Sequence, residues 1–207
     1  MTRILFQGDS ITDCGRSKDN DSFKGKGYAH LVTSQLGFEK PGEYEFFNRG
    51  ISGNKIVDLY ARMKRDLINL KPDVMSILIG VNDVWHEVGA NDGVDEEKFE
   101  KIYDMLLTEV KEALPNIKII IMGAFILNST ASKDKWEFLS EGTKKRAQIA
   151  KKLAEKHGHI FVDLQAEFDK AVARKSEPYW TLEGVHPTEA GHELIKRAWL
   201  EAFEKIK

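Results

Sequence analysis

Four short clusters, far apart in the chain, carry the residue types that acyl-transfer chemistry uses. The first is Gly8, Asp9, Ser10, Ile11, Thr12 and the second Asn48, Arg49, Gly50, Ile51, Ser52, Gly53, Asn54. The third is Gly80, Val81, Asn82, Asp83 and the last Glu183, Gly184, Val185, His186, Pro187. A serine hydroxyl is a poor nucleophile at neutral pH, but an imidazole within hydrogen-bond reach can accept its proton during attack on a carbonyl. The tetrahedral intermediate then needs N–H donors aimed at its oxygen, and losing one donor typically lowers the rate about 10² to 10³-fold. A glycine such as Gly53 lets backbone approach a substrate with its N–H unshielded. Taken singly, each cluster has an ordinary reading: Gly-Asp-Ser is a common turn, and Asn82 with Asp83 can cap a helix. Their weight depends on whether the fold brings them together.

The elements between them answer that. Short apolar, β-branched runs predict strands over 4–7, 44–48, 74–79, 117–122 and 160–164. Amphipathic stretches predict helices over 28–36, 55–70, 96–114, 136–157 and 189–206. Pro72 and Pro115 each stop a helix before a strand, and Asp95 and Thr188 are candidate N-caps, neither within a full capping box. Strands alternating with helices imply an α/β fold, a three-layer α/β/α sandwich around a five-stranded parallel sheet. No repeat, linker or low-complexity tract interrupts it, so residues 1–207 read as one domain. In such a sheet, loops leaving the carboxyl ends of the strands converge on one edge, and all four clusters fall on that edge.

In that order and at those strand ends, the clusters resemble the SGNH (GDSL) hydrolase family of serine esterases. Gly8 to Thr12 matches its GDSxT block, Gly53 its lone glycine, Gly80 to Asp83 its GxND block, and His186-Pro187 its terminal HP pair. The resemblance implies the family's flavodoxin-like three-layer fold, Ser10 as nucleophile and His186 as general base. It also implies an oxyanion hole built from the Ser10 and Gly53 N–H groups and the Asn82 amide. The family usually places aspartate three residues before the histidine, where this chain has Glu183. Glutamate accepts an imidazole N–H equally well, but its extra methylene shifts the carboxylate by about one bond length. Should Glu183 not reach, a main-chain carbonyl or Asp163 could orient the ring instead. Asp9 and Asp83 read as turn-building residues.

Trp85, Tyr179, Trp180 and Trp136 are placed in loops on the same edge, where aromatic faces could stack on a sugar ring or acyl group, or simply pack. Trp85 directly after the GVND block and Tyr179-Trp180-Thr181 before the histidine block resemble the acetylxylan esterase branch of the family. His86 follows Asn82 on what reads as one loop and is a further candidate for facing substrate. His30, His157, His159 and His192 read as structural, without metal-ligand spacing. The lone Cys14 reads as a bystander.

Bulk properties limit the alternatives. Lys plus Arg number 31 against 33 Asp plus Glu, a formal charge of −2, so there is no field to recruit nucleic acid or an anionic membrane. No apolar run reaches the ~18 residues a membrane span needs, no signal peptide is read, and a single cysteine agrees with a reducing compartment, so the expected address is cytoplasmic. GDSIT after the first strand is not GxGxxG, Gly25-Lys26-Gly27 is no P-loop, and GxSxG is absent. The expected activity is hydrolysis of a short acyl ester, acetyl on a sugar or xylo-oligosaccharide, without metal or organic cofactor. The expected partner is that small molecule, and a homo-oligomer would narrow an open cleft. The rival readings are a lysophospholipase or thioesterase of the same fold, and a carbohydrate-binding domain that keeps the fold without the chemistry.

Overall fold

The structure, a computed structural model, describes residues 1–207. Five parallel strands, β1 (Thr2–Gly8), β2 (Tyr44–Asn48), β3 (Val74–Leu78), β4 (Lys118–Met122) and β5 (Ile160–Val162), pair in the order β2-β1-β3-β4-β5. The side chains of each inner strand alternate between two cores, as a pleat buried on both faces requires. Ile4, Phe6, Val74, Leu78, Ile120 and Met122 enter one core, and Leu5, Met75, Ile77, Ile119 and Ile121 the other.

Eight helices join and cover the sheet: α1 (Ser10–Asp13), α2 (Tyr28–Glu39), α3 (Ile56–Asp66), α4 (Val81–Ala90), α5 (Glu96–Ala113), α6 (Trp136–His157), α7 (Leu164–Val172) and α8 (Glu189–Glu204). The first core packs under α2, α7 and α8 through Tyr28, Val32, Phe168, Ile195, Trp199 and Phe203. The second packs under α3, α5 and the later turns of α6 through Leu59, Phe99, Leu107, Val110 and Leu153. No helix is long and apolar enough to cross a membrane.

Asp95 and Thr188 are the expected N-caps, accepting from Lys98 N and Gly191 N. Three expectations need correction. The helix expected over 55–70 ends at Asp66 and continues only as a 3₁₀ turn, Ile68–Leu70, closed by Lys71 at φ +49°. Residues 163 and 164 leave the last strand, because the Asp163 side chain accepts from Ala166 N and starts α7 at Leu164. The segment after Asn82, expected as a loop, is α4, so Trp85 and His86 stand on a helix; Trp136 is the first residue of α6.

Candidate active site

β1 ends at Gly8, and the chain turns at once into α1, whose N-cap is Asp9: its Oδ1 accepts from Ile11 N at 3.0 Å. Ser10 is thereby the first residue of a short helix, with its N–H in the turn where helices lack internal acceptors. From the far end of the chain, His186 Nε2 lies 2.7 Å from Ser10 Oγ. His186 Nδ1 is 2.5 Å from Glu183 Oε1, and the same oxygen accepts the His186 backbone N–H at 2.9 Å. A carboxylate accepts only, so Nδ1 carries the ring proton and Nε2 faces the serine hydroxyl as acceptor. The His186 side chain is 46% exposed and that of Glu183 33%, so the pair opens to solvent and to a substrate. Asp163, the alternative orienting carboxylate, is occupied instead in capping α7.

The loop after β2 brings Gly53 to the same place. Gly53 adopts φ +82°, a left-handed backbone that favours glycine, and its N–H has no acceptor within the chain. That loop is tied from three sides. Asp13 Oδ2 accepts from Ser52 N and Oγ at 3.1 and 3.0 Å. Asn48 Oδ1 accepts from Gly50 N at 2.9 Å, while its Nδ2 donates to Thr12 O at 2.7 Å. Arg62 Nε donates to Asn54 Oδ1 at 2.8 Å. Asn82, in the first turn of α4, donates one Nδ2 hydrogen to Asn54 O at 3.1 Å, which leaves its second amide hydrogen free. Asp83, next to it, accepts from Ile56 N at 3.0 Å and so fixes the start of α3. Asp13, Asn48 and Arg62 were not assigned functions from the sequence; polar residues at strand ends and inside helix faces carry no mark of which loop they will hold.

The candidate aromatics divide. His86 is half-buried one turn beyond Asn82, and a Cβ placed on Gly53 would meet its Cε1 at 3.8 Å, so the imidazole stands over that glycine. Trp85 is half-buried and packs on the first core. Trp180 is 7% exposed and its indole N–H donates to Lys175 O at 2.8 Å, so of the two readings open for it, stacking on substrate and packing, it takes packing. Tyr179 is 53% exposed, with its ring against Trp180, but both line a groove of about 900 Å³ between α7 and α8. None of Ser10, Gly53, Asn82 and His186 contributes to the walls of that groove.

Two buried carboxyls lie directly behind the site. Burial pushes Asp9 up to about 7, although the Ile11 N–H and the His186 charge pull the other way. Burial likewise pushes Asp83 up to about 7 against the Ile56 N–H and Arg146. In the unfolded chain both titrate near ~4. Each group binds its proton more tightly when folded, so its stabilising contribution is complete below pH ~4 and is lost as pH rises through about 7. Asp9→Asn keeps an acceptor for Ile11 N and removes one titration. Its melting temperature is expected to fall less than that of the unmodified protein between pH 4 and 7; parallel curves by differential scanning calorimetry would contradict this.

Cys14, four residues past Ser10, faces a different imidazole. Tyr28 N donates to His192 Nδ1 at 3.2 Å, so the neutral ring carries its proton on Nε2 and points it at Cys14 Sγ, 3.4 Å away. Burial pushes His192 down to about 4 and the Cys14 thiol up. The thiol is an acceptor here, with no base to remove its proton.

Residues 6–194 match the GDSL-like lipase/acylhydrolase family. An acetylxylan esterase from Geobacillus stearothermophilus is 34% identical over 214 residues, spanning 99% of this chain and 96% of that one. The crystal structure of an acetylxylan esterase from that organism superposes with a TM-score of 0.87 at 33% identity, covering 97% of this chain and 93% of its own. Catalytic mutants of that esterase replace a serine, and an aspartate and a histidine three positions apart. A GDSL-like protein from Parabacteroides merdae superposes with a TM-score of 0.93 at 38% identity, over 98% of this chain and 95% of its own.

Proposed function

Since the chain belongs to the GDSL-like lipase/acylhydrolase family and is a carboxylic ester hydrolase, we propose that it removes short acyl groups from carbohydrate hydroxyls, acetyl from xylo-oligosaccharides foremost. The observation that carries this reading is the unbroken Ser10–His186–Glu183 chain of hydrogen bonds, beside N–H donors that no protein group occupies, in a chain similar to acetylxylan esterases along its whole length.

The geometry supports a two-step route. Ser10 Oγ attacks the ester carbonyl carbon while its proton passes to His186 Nε2, and the Glu183 carboxylate stabilises the imidazolium through Nδ1–H. The carbonyl oxygen becomes an oxyanion held by the N–H groups of Ser10 and Gly53 and the free amide hydrogen of Asn82. The C–O bond to the sugar breaks, and His186 gives the proton to the departing oxygen, which leaves as the sugar hydroxyl. Water then attacks the acyl-serine, gives its proton to His186, and releases the free acid and the serine hydroxyl. The half-exposed histidine suits a bulky polar leaving group, and His86 over Gly53 is placed to contact it or the acyl group.

A series of p-nitrophenyl esters tests the acyl preference. The kcat/KM is expected to be highest for acetate and to fall along the series; one methylene alters discrimination by about ten-fold or more. Octanoate cleaved faster than acetate would defeat the short-acyl reading and favour a lysophospholipase or thioesterase. Release of acetate from acetylated xylo-oligosaccharides, followed by mass spectrometry, checks the leaving group.

A further inference from the structure

We propose that Ser129 is a positioning residue for the Glu183–His186 pair, holding the main chain of Glu183 so that its carboxylate folds back onto its own turn and reaches the imidazole. This rests on the assignment of Glu183 as the orienting carboxylate under Proposed function.

After β4 the chain runs alongside residues 181–187 as a strap. Ser129 Oγ donates to Glu183 O at 2.5 Å, and Leu127 N donates to Gly184 O at 2.8 Å. Two consecutive carbonyls of the Glu183 turn are therefore gripped from one side. From within, Gly184 N donates to Thr181 Oγ1 at 3.1 Å and Leu182 N to His186 O at 2.8 Å. Gly184 has φ +92°, and a Cβ there would lie 2.4 Å from Leu127 O and 2.8 Å from Ser129 Oγ. The strap occupies the space a side chain would need, so glycine at 184 is what lets it come this near.

The Ser129 hydroxyl is itself aimed. Ser129 N donates to Ser132 Oγ at 3.1 Å, and the fully buried Ser132 returns a bond to Ser129 O at 3.3 Å. A glutamate has one more rotatable bond than the aspartate of the related esterase, and this one is one-third exposed, with solvent as a competing destination. Fixing its peptide group leaves those torsions free but holds the Cα from which the carboxylate must reach the imidazole, and a displacement of about 1 Å in a catalytic group can lower the rate about 10²-fold.

Steady-state kinetics on p-nitrophenyl acetate test this in a double-mutant cycle. Ser129→Ala is expected to lower kcat by roughly ten-fold to a hundred-fold with KM little changed. In a Glu183→Ala background the same substitution is expected to change nothing further, because no carboxylate remains to be placed. Unchanged kcat in Ser129→Ala, or an equal loss in both backgrounds, overturns the proposal. Should Ser129→Ala fail to fold by circular dichroism, Ser129→Cys, similar in shape but a weak donor, takes its place with the same expectations. An undiminished kcat in Glu183→Ala alone overturns the assignment of Glu183, and the proposal with it.

Discussion

Ser10→Ala is expected to lower kcat for p-nitrophenyl acetate by about 10⁶, with a melting temperature within a few degrees of the unmodified protein. The hydroxyl makes its one side-chain hydrogen bond to His186, so removing it takes away the attacking oxygen and leaves the Asp9 cap, the sheet and the Gly53 loop as they are. Some rate above water should survive, because aligned donors still stabilise an oxyanion when water attacks in place of serine. A fluorophosphonate should label Ser10 in the parent, mapped by mass spectrometry, and nothing in the variant. A variant that hydrolyses at the parental rate would mean that the chemistry is not done at Ser10.

Glu183→Gln is expected to have the next largest effect, a loss of about 10⁴ in kcat. The carboxylate can only accept, which commits the ring proton to Nδ1 and leaves Nε2 basic toward Ser10. A carboxamide of the same length can turn its NH₂ toward Nδ1, and the proton then sits on Nε2, where it cannot take another from serine. Pre-steady-state kinetics should show slower acylation without loss of folding. A loss under ten-fold would assign the orientation of His186 to another group; Asp163 caps α7 and makes no hydrogen bond to the imidazole.

The sheet was legible because each strand is a compact apolar run closed by glycine, proline or a polar turn, and because every inner strand is buried on both faces. The four clusters were legible for a related reason: a parallel sheet sends the ends of its strands to one edge whatever the intervening helices do. What escaped were the one-turn α1, and α4 and α7. Asn82 and Asp83 look like turn residues, and the helix they begin is set by tertiary bonds, Asp83 to Ile56 N and Asn82 to Asn54 O. Leu164 extends an apolar run in sequence, and only the Asp163 cap shows that the strand has ended. Trp180 shows a different limit. Its type and place near the histidine allowed either a stacking face or packing, because no spacing rule tells which way an indole turns, and this one is buried with its N–H satisfied. The strap that steadies Glu183 was invisible because Ser129 lies 54 residues away from it in the chain, amid residues of no special pattern.

The arrangement around Cys14 also bears on how the protein can be handled. Burial holds the Cys14 thiol above its ordinary range, and the neutral His192 ring beside it has no free nitrogen lone pair to take the proton, so little thiolate exists at neutral pH. Maleimide dyes and spin labels attached through an introduced surface cysteine should therefore report from the chosen position, without first replacing the native one.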